Sequence, residues 1–149
     1  MRMILFEPDI AGNVGAVIRI CACLGADLEI IEPCGFPLKS ADLRRAAMDY
    51  GGAEEIIRHP SWDVFLANHE TRDGRLLLMT TKGARAHSAI AYRPDDAILI
   101  GRESIGAPAA LHEAADERLV IPMAAGARSL NMAVSAAIVL AEANRQFAQ

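Results

Sequence analysis

Short aliphatic runs alternate along this chain with longer segments whose apolar residues recur every three or four positions. Met3 to Phe6 reads as a first strand, closed by Glu7-Pro8. A helix from about Gly12 to Leu24 comes next, with Val14, Val17, Ile18 and Cys21 on one face and Gly25 as its C-cap residue. Asp27 to Ile31 predicts a second strand, ended by Pro33. Ser40 caps a short helix to Ala47, Ile56-Ile57 suggests a brief strand, and Ser61 caps a helix to about Asn68. The apolar run from Leu76 to Thr80 suits the middle of a sheet. Thr81 to Asp96 is a long polar connection with no expected regular structure, and connections of that length tend to be functional.

The last third has the firmest pattern. Strands at Ala97–Ile100 and Leu119–Ile121 each break in residues that cannot continue them, Gly101 with Gly106 and Pro108 in one case, Pro122 and Gly126 in the other. A helix succeeds each loop: Pro108 suits the first turn of one, and Ser129 the N-cap of the other. That final helix should bury Leu130, Ala133, Val134, Ala137, Ile138 and Ala141, with Val139, Leu140 and Phe147 widening the face. The alternation of strand and helix predicts an α/β fold, a mainly parallel sheet with helices on both faces, in one domain spanning 1–149. Two strand ends opening into loops and helix N-termini predict a ligand crevice.

With 149 residues there is room for one sizeable core. Apolar residues make up 52% of the chain, yet no run is long enough to span a membrane. No signal or transit pattern precedes the first strand, so a cytoplasmic protein is expected. Cys21, Cys23 and Cys34 form no metal or redox motif, and the four histidines lack ligand spacing; reduced thiols and no metal are expected. A net charge of −4 excludes a protein that coats nucleic acid by bulk charge, so any RNA must be held by a local basic groove.

Candidate chemistry is sparse. Gly12-Asn-Val-Gly15 is too thin for a dinucleotide fingerprint, and no nucleophile elbow or paired carboxylates are present. Arg19 interrupts the apolar stretch of the first helix; it either snorkels to solvent or offers its fork to a phosphate at the crevice. Asn131 is either a capping group or a ligand contact. Arg44 and Arg45, the Thr80-Thr-Lys82-Gly83 segment and Arg128 could assemble a phosphate-binding track. Glu103 is the only acid in the crevice loops. With neither nucleophile nor metal, transfer from an activated small-molecule donor is the compatible chemistry.

Five segments carry a resemblance: Asn13 to Arg19, Leu43-Arg-Arg with Asp49-Tyr50, Thr80-Thr-Lys-Gly83 with His87-Ser88, Gly101-Arg-Glu-Ser-Ile-Gly106-Ala-Pro108, and Ile121-Pro-Met123 with Arg128-Ser-Leu-Asn131. In that order they resemble the SPOUT superfamily of RNA methyltransferases, and within it the small tRNA ribose 2′-O-methyltransferases that modify cytidine or uridine at the wobble position. The resemblance implies S-adenosylmethionine as donor, tRNA as substrate, a C-terminal trefoil knot, and a homodimer sharing residues across its interface. It implies Arg19 and Asn13 at the reacting ribose. Met79, Gly101, Ile121, Met123, Ser129 and Leu130 would hold the cofactor, and Arg44, Arg45, Lys82 and Arg128 the RNA. Two positions depart from the pattern: Ile105, where many relatives carry a base, and Ala141, where some carry a tyrosine. A non-catalytic RNA-binding module on the same fold is the competing expectation.

Overall fold

The computed structural model describes residues 1–38, 41–47 and 56–148, with the side chains of Asp42, Arg44 and Ala46 outside that description. Seven strands form one all-parallel sheet. They are β1 (Arg2–Phe6), β2 (Asp27–Ile31), β3 (Ile57–His59), β4 (Leu76–Met79), β5 (Arg85–Ala86), β6 (Ala97–Ile100) and β7 (Glu117–Val120), in the order β3-β2-β1-β6-β4-β7-β5. The helices are α1 (Ala11–Leu24), α2 (Ala41–Ala47), α3 (Trp62–Glu70), α4 (Ala109–Ala114) and α5 (Met132–Phe147).

The period-two alternation of the strands sorts the sheet into two cores. Met3, Leu28, Ile98 and Leu77 stand side by side across β1, β2, β6 and β4, and with Leu5, Ile30, Ile100 and Met79 they face α1, α2 and α5. Ile4, Leu99 and Leu78 form the intervening row, which packs with Phe65 of α3 and Leu111 of α4. All of these sheet residues are buried; each contributes on the order of 1.5–3 kcal/mol by leaving water. The middle strands, apolar on both faces, are therefore the ones whose sequence reads as unbroken hydrophobic runs.

Gly25 ends α1 in the left-handed conformation expected of a C-cap, its N–H donating to the Cys21 carbonyl. Ser61 caps α3 by accepting from the Val64 N–H, as the sequence predicts; the expected cap at Ser40 lies outside the described residues. The segment expected to be loose, Thr81 to Asp96, instead holds β5 and a single 3-10 turn at His87–Ala89. Strand β5 exists because β7 gives it an edge to pair with. Strand β7 itself starts at Glu117 and ends one residue before Ile121, and Pro108 is the N-cap of α4 rather than a residue of its first turn.

The last helix needs two corrections. Its N-cap is Asn131, not Ser129, because the Asn131 Oδ1 accepts from both the Ala133 and Val134 N–H groups. Its buried residues are Met132, Ala133, Ala136, Val139, Leu140 and Ala143. Of the expected stripe only Ala133 is buried, while Val139 and Leu140, expected to widen it, are buried as well; Leu130 and Val134 are 39% and 46% exposed. Helix α5 is apolar nearly all round, so two faces satisfy the helical spacing and packing against α1 selects one.

Candidate active site

Because every strand is parallel, β1, β4, β6 and β7 all end at one edge of the sheet. A cavity of about 500 Å³ opens there. Met79, Ile100, Ile121 and Met132 give it apolar walls, while Asn13, Thr80, Glu103 and Ser129 supply polar groups. The loops stay thin where the cavity needs backbone close at hand. After β6 the chain doubles back: the Arg102 N–H donates to the Gly106 carbonyl at 3.1 Å and the Gly106 N–H to the Arg102 carbonyl at 2.8 Å. A Cβ on Gly101 would lie 2.7 Å from the Ala107 nitrogen, so only glycine fits at that turn. After β4, Thr80 donates its N–H to the Leu119 carbonyl at 2.9 Å. A Cβ on Gly83 would come within 2.5 Å of the Leu119 carbonyl carbon, so this connection lies flat against β7.

A chain of polar groups links the loops on the β1 side. The Glu103 carboxylate accepts from the Asp9 N–H at 2.8 Å and from the Asn13 Nδ2 at 3.0 Å. Asn13 Oδ1 then accepts from the Asn131 Nδ2 at 2.9 Å, and Asn131 caps α5. Asn131 thus caps the helix, one of the two roles left open by its sequence position, and it also lines the cavity. Beside this chain, the Asp9 carboxylate receives the Ser104 N–H and the Arg102 guanidinium, which hold it below the usual carboxylate range.

The six residues expected to hold a cofactor, Met79, Gly101, Ile121, Met123, Ser129 and Leu130, all line the cavity, as do Asn13, Lys82 and Arg128. Arg19 does not: it lies exposed on α1 and outside the lining. Arg45 is exposed on α2, which packs against α1, and it too is absent from the cavity wall; the Arg44 side chain lies outside the described residues. Among the described residues the lysine and arginines that line the cavity are Lys82, Arg102 and Arg128. Arg102, Asp9 and the bonding of Glu103 escape sequence reasoning. Glu103 stands out as the lone acid of its loop, but nothing in the spacing couples it to residues some 90 positions away. Among the described residues no group of three or more His, Cys, Asp or Glu could hold a metal ion.

Residues 1–141 match the model of the SpoU rRNA Methylase family. The chain belongs to that family. Like other SpoU methylases it is a methyltransferase, and its relatives sharpen the comparison. It is 49% identical over 98% of its length, and 92% of theirs, to a tRNA (cytidine(34)-2′-O)-methyltransferase of Ancylobacter novellus. A solved structure concerned with the 2′-OH methylation of C/U34 on tRNA superposes with a TM-score of 0.91 at 35% identity, covering 99% of this chain and 95% of that one. The SpoU methyltransferase AviRb of Streptomyces viridochromogenes, in complex with AdoMet, gives a TM-score of 0.90 at 26% identity, covering 99% of this chain and 60% of its own.

Proposed function

We propose that this SpoU methylase transfers a methyl group from S-adenosylmethionine to the ribose 2′-oxygen of nucleotide 34, a cytidine or uridine, in tRNA. The observation that carries this reading is the near full-length likeness to the Ancylobacter enzyme, which is too long and too close to reflect the fold alone. The cavity fits the donor. Its thioether and aliphatic walls suit the apolar parts of that donor, and the Gly101 turn brings bare backbone to the cavity wall. When bound there, S-adenosylmethionine supplies a methyl group already activated for displacement.

The residues of the chain do the rest by positioning. Holding the ribose oxygen in line with the methyl carbon can lower the barrier by about 7–11 kcal/mol. Asn13, fixed between Glu103 and Asn131, is placed to orient the ribose hydroxyl. Arg19 serves as a clamp on the adjacent phosphate and a partner for the developing alkoxide, the part a guanidinium plays better than that of a base. Its exposed position on α1, outside the cavity wall, is compatible with service at the cavity of a second copy in a homodimer. Ile10 and Leu130, which line the cavity, and Val134 on α5 are exposed by 50%, 39% and 46% and offer that dimer an apolar contact. Lys82 and Arg128 line the cavity and are the candidates for the RNA backbone there, and Arg44 and Arg45 are the further candidates for RNA contact.

A C-terminal trefoil knot accords with the strand order. Strand β7 is inserted between β4 and β5, although β4 and β5 are joined by only a short connection lying against it. No described helix is long and apolar enough to cross a membrane, and a cytoplasmic site of action, where tRNA resides, is part of the same proposal. Incubation with unmodified tRNA and labelled S-adenosylmethionine should label the tRNA. Arg19→Ala should abolish transfer while calorimetry shows cofactor affinity retained. Absence of cofactor binding altogether would favour a non-catalytic RNA-binding module.

A further inference from the structure

Arg102 is placed unlike an RNA-binding cation. It comes directly after Gly101 at the cavity edge, but its guanidinium turns to the β1–α1 connection. Its Nε donates to Asp9 Oδ1 at 2.7 Å, a second nitrogen lies 2.7 Å from the same oxygen, and the third lies 3.3 Å from Glu7 Oε2. Asp9 returns the contact by accepting the Ser104 N–H at 3.1 Å. The two loops are thus tied in both directions. Glu7 needs such a tie. It has a φ of 44°, a left-handed conformation that a residue with a Cβ adopts only when its surroundings impose it. Its N–H is held by the Ile31 carbonyl at 2.9 Å, and Arg102 holds its carboxylate.

Just downstream of Glu7 lies the Asp9 N–H, which donates to Glu103, and four residues further on lies Asn13, which donates to the same carboxylate. We propose that Arg102 is a positioning residue for methyl transfer: by clamping the Glu7-Pro8-Asp9 turn to the Gly101–Gly106 loop, it holds Glu103, Asn13 and Asn131 in register. The proposal rests on the reading of the cavity as a methyl-transfer site. Arg102 touches neither ribose nor donor; it fixes the frame on which the orienting amides are mounted. A forked guanidinium is required because two carboxylates on different residues must be met at once, which a lysine ammonium cannot do with the same geometry.

Hydrogen exchange of the protein alone and single-turnover transfer to tRNA test this together. In Arg102→Gln, amides of residues 7–13 and 101–106 should exchange faster, and the transfer rate should fall by about tenfold or more, the effect of a modest misalignment of reacting groups. Cofactor affinity and the KM for tRNA should stay within about threefold, since only an interaction realised at the transition state is lost. Arg102→Lys should not restore the rate. Asp9→Asn should reproduce the loss, and the double variant should be no slower than either single one, the signature of one shared contact. Should Arg102→Gln fail to fold, the Asp9→Asn variant carries the same comparison. Unchanged exchange with a raised KM for tRNA would overturn the proposal in favour of a direct RNA contact, and transfer within about twofold of the parent would overturn it outright. No transfer by the unaltered protein would instead remove the tRNA reading, leaving the exchange measurement to judge the clamp alone.

Discussion

Two carboxylate clusters, one in the loops beyond the strand ends and one within the sheet, put the same groups to different use. At the cavity, Asp9 and Glu103 remain within reach of solvent and are tied to Arg102, Asn13 and Ser104 by loops. Under α3, Glu29 is fully buried. Its carboxylate accepts from Arg2 at 3.2 Å and Arg72 at 3.1 Å, and meets His59 Nε2 at 2.6 Å. Phe65 covers that cluster, with the His59 and His69 rings against it at 5.2 and 5.7 Å. Glu29 sits in the row of Ile4, Leu99 and Leu78, one charged position in an otherwise apolar stripe. Once buried, such a carboxylate must keep its partners, whereas exposed pairs contribute only about 0–1 kcal/mol to stability. The Glu29 cluster should therefore govern folding, and the Asp9–Glu103 cluster the reaction.

The sharpest break of that division is Glu29→Ala. It should lower unfolding stability in urea by about 3–5 kcal/mol, by stranding buried partner charge, while the folded fraction transfers methyl at the parental rate. A loss of rate greater than the loss of folded protein would show the two clusters to be coupled. Gly101→Ala should act in the opposite sense. Its Cβ would press on backbone at 2.7 Å, so the loop must open; cofactor affinity should fall by about tenfold or more in calorimetry, against a small shift in melting. Asn131→Ala touches both roles. Loss of the cap should cost about 1 kcal/mol, and loss of its bond to Asn13 should slow transfer further than that instability explains.

The smallest effect is one of pH. Burial, and after it the nearby Arg2 guanidinium, holds the His69 imidazole below its ordinary pKa. The unfolded chain thus takes up a proton at His69 before the folded one does. Its contribution is present above the ordinary histidine range and is lost as pH falls through that range toward the depressed folded value. Denaturation midpoints measured downward from neutral pH should show this limb, and His69→Gln should flatten it. Asp9 in the cavity cluster contributes no such limb in that window, because Ser104 and Arg102 hold it below the usual carboxylate range.

How much of this could be read in the sequence depends on how local each cause is. The strands β1, β4 and β6 announce themselves because their central residues are apolar on both faces, β2 because Pro33 closes its Ile30-Ile31 end, and α1 because Gly25 stops it where the stripe ends. Strand β5 leaves no such mark: it is two residues long, its Arg85 is exposed, and pairing with β7 creates it. Periodicity misplaces the buried face of α5 because Val134 and Val139 are equally apolar, and only packing distinguishes them. Strand ends and glycine breaks mark a crevice, but the six residues expected at the cofactor come from the family resemblance, and all six line the cavity. The bonds that join Asn13 to Glu103 and to Asn131 span 90 and 118 positions, and no periodicity encodes a contact of that range. Arg19 and Arg45 are legible as cations but not as to where they point.

Mass spectrometry of anticodon fragments, after the purified protein has acted on unmodified tRNA with S-adenosylmethionine carrying a trideuterated methyl group, reads the central claim directly. A single trideuteromethyl on the 2′-oxygen of nucleotide 34 is the expected product. The same label on a base, on another nucleotide or on no nucleotide at all, with the cofactor bound, would contradict it.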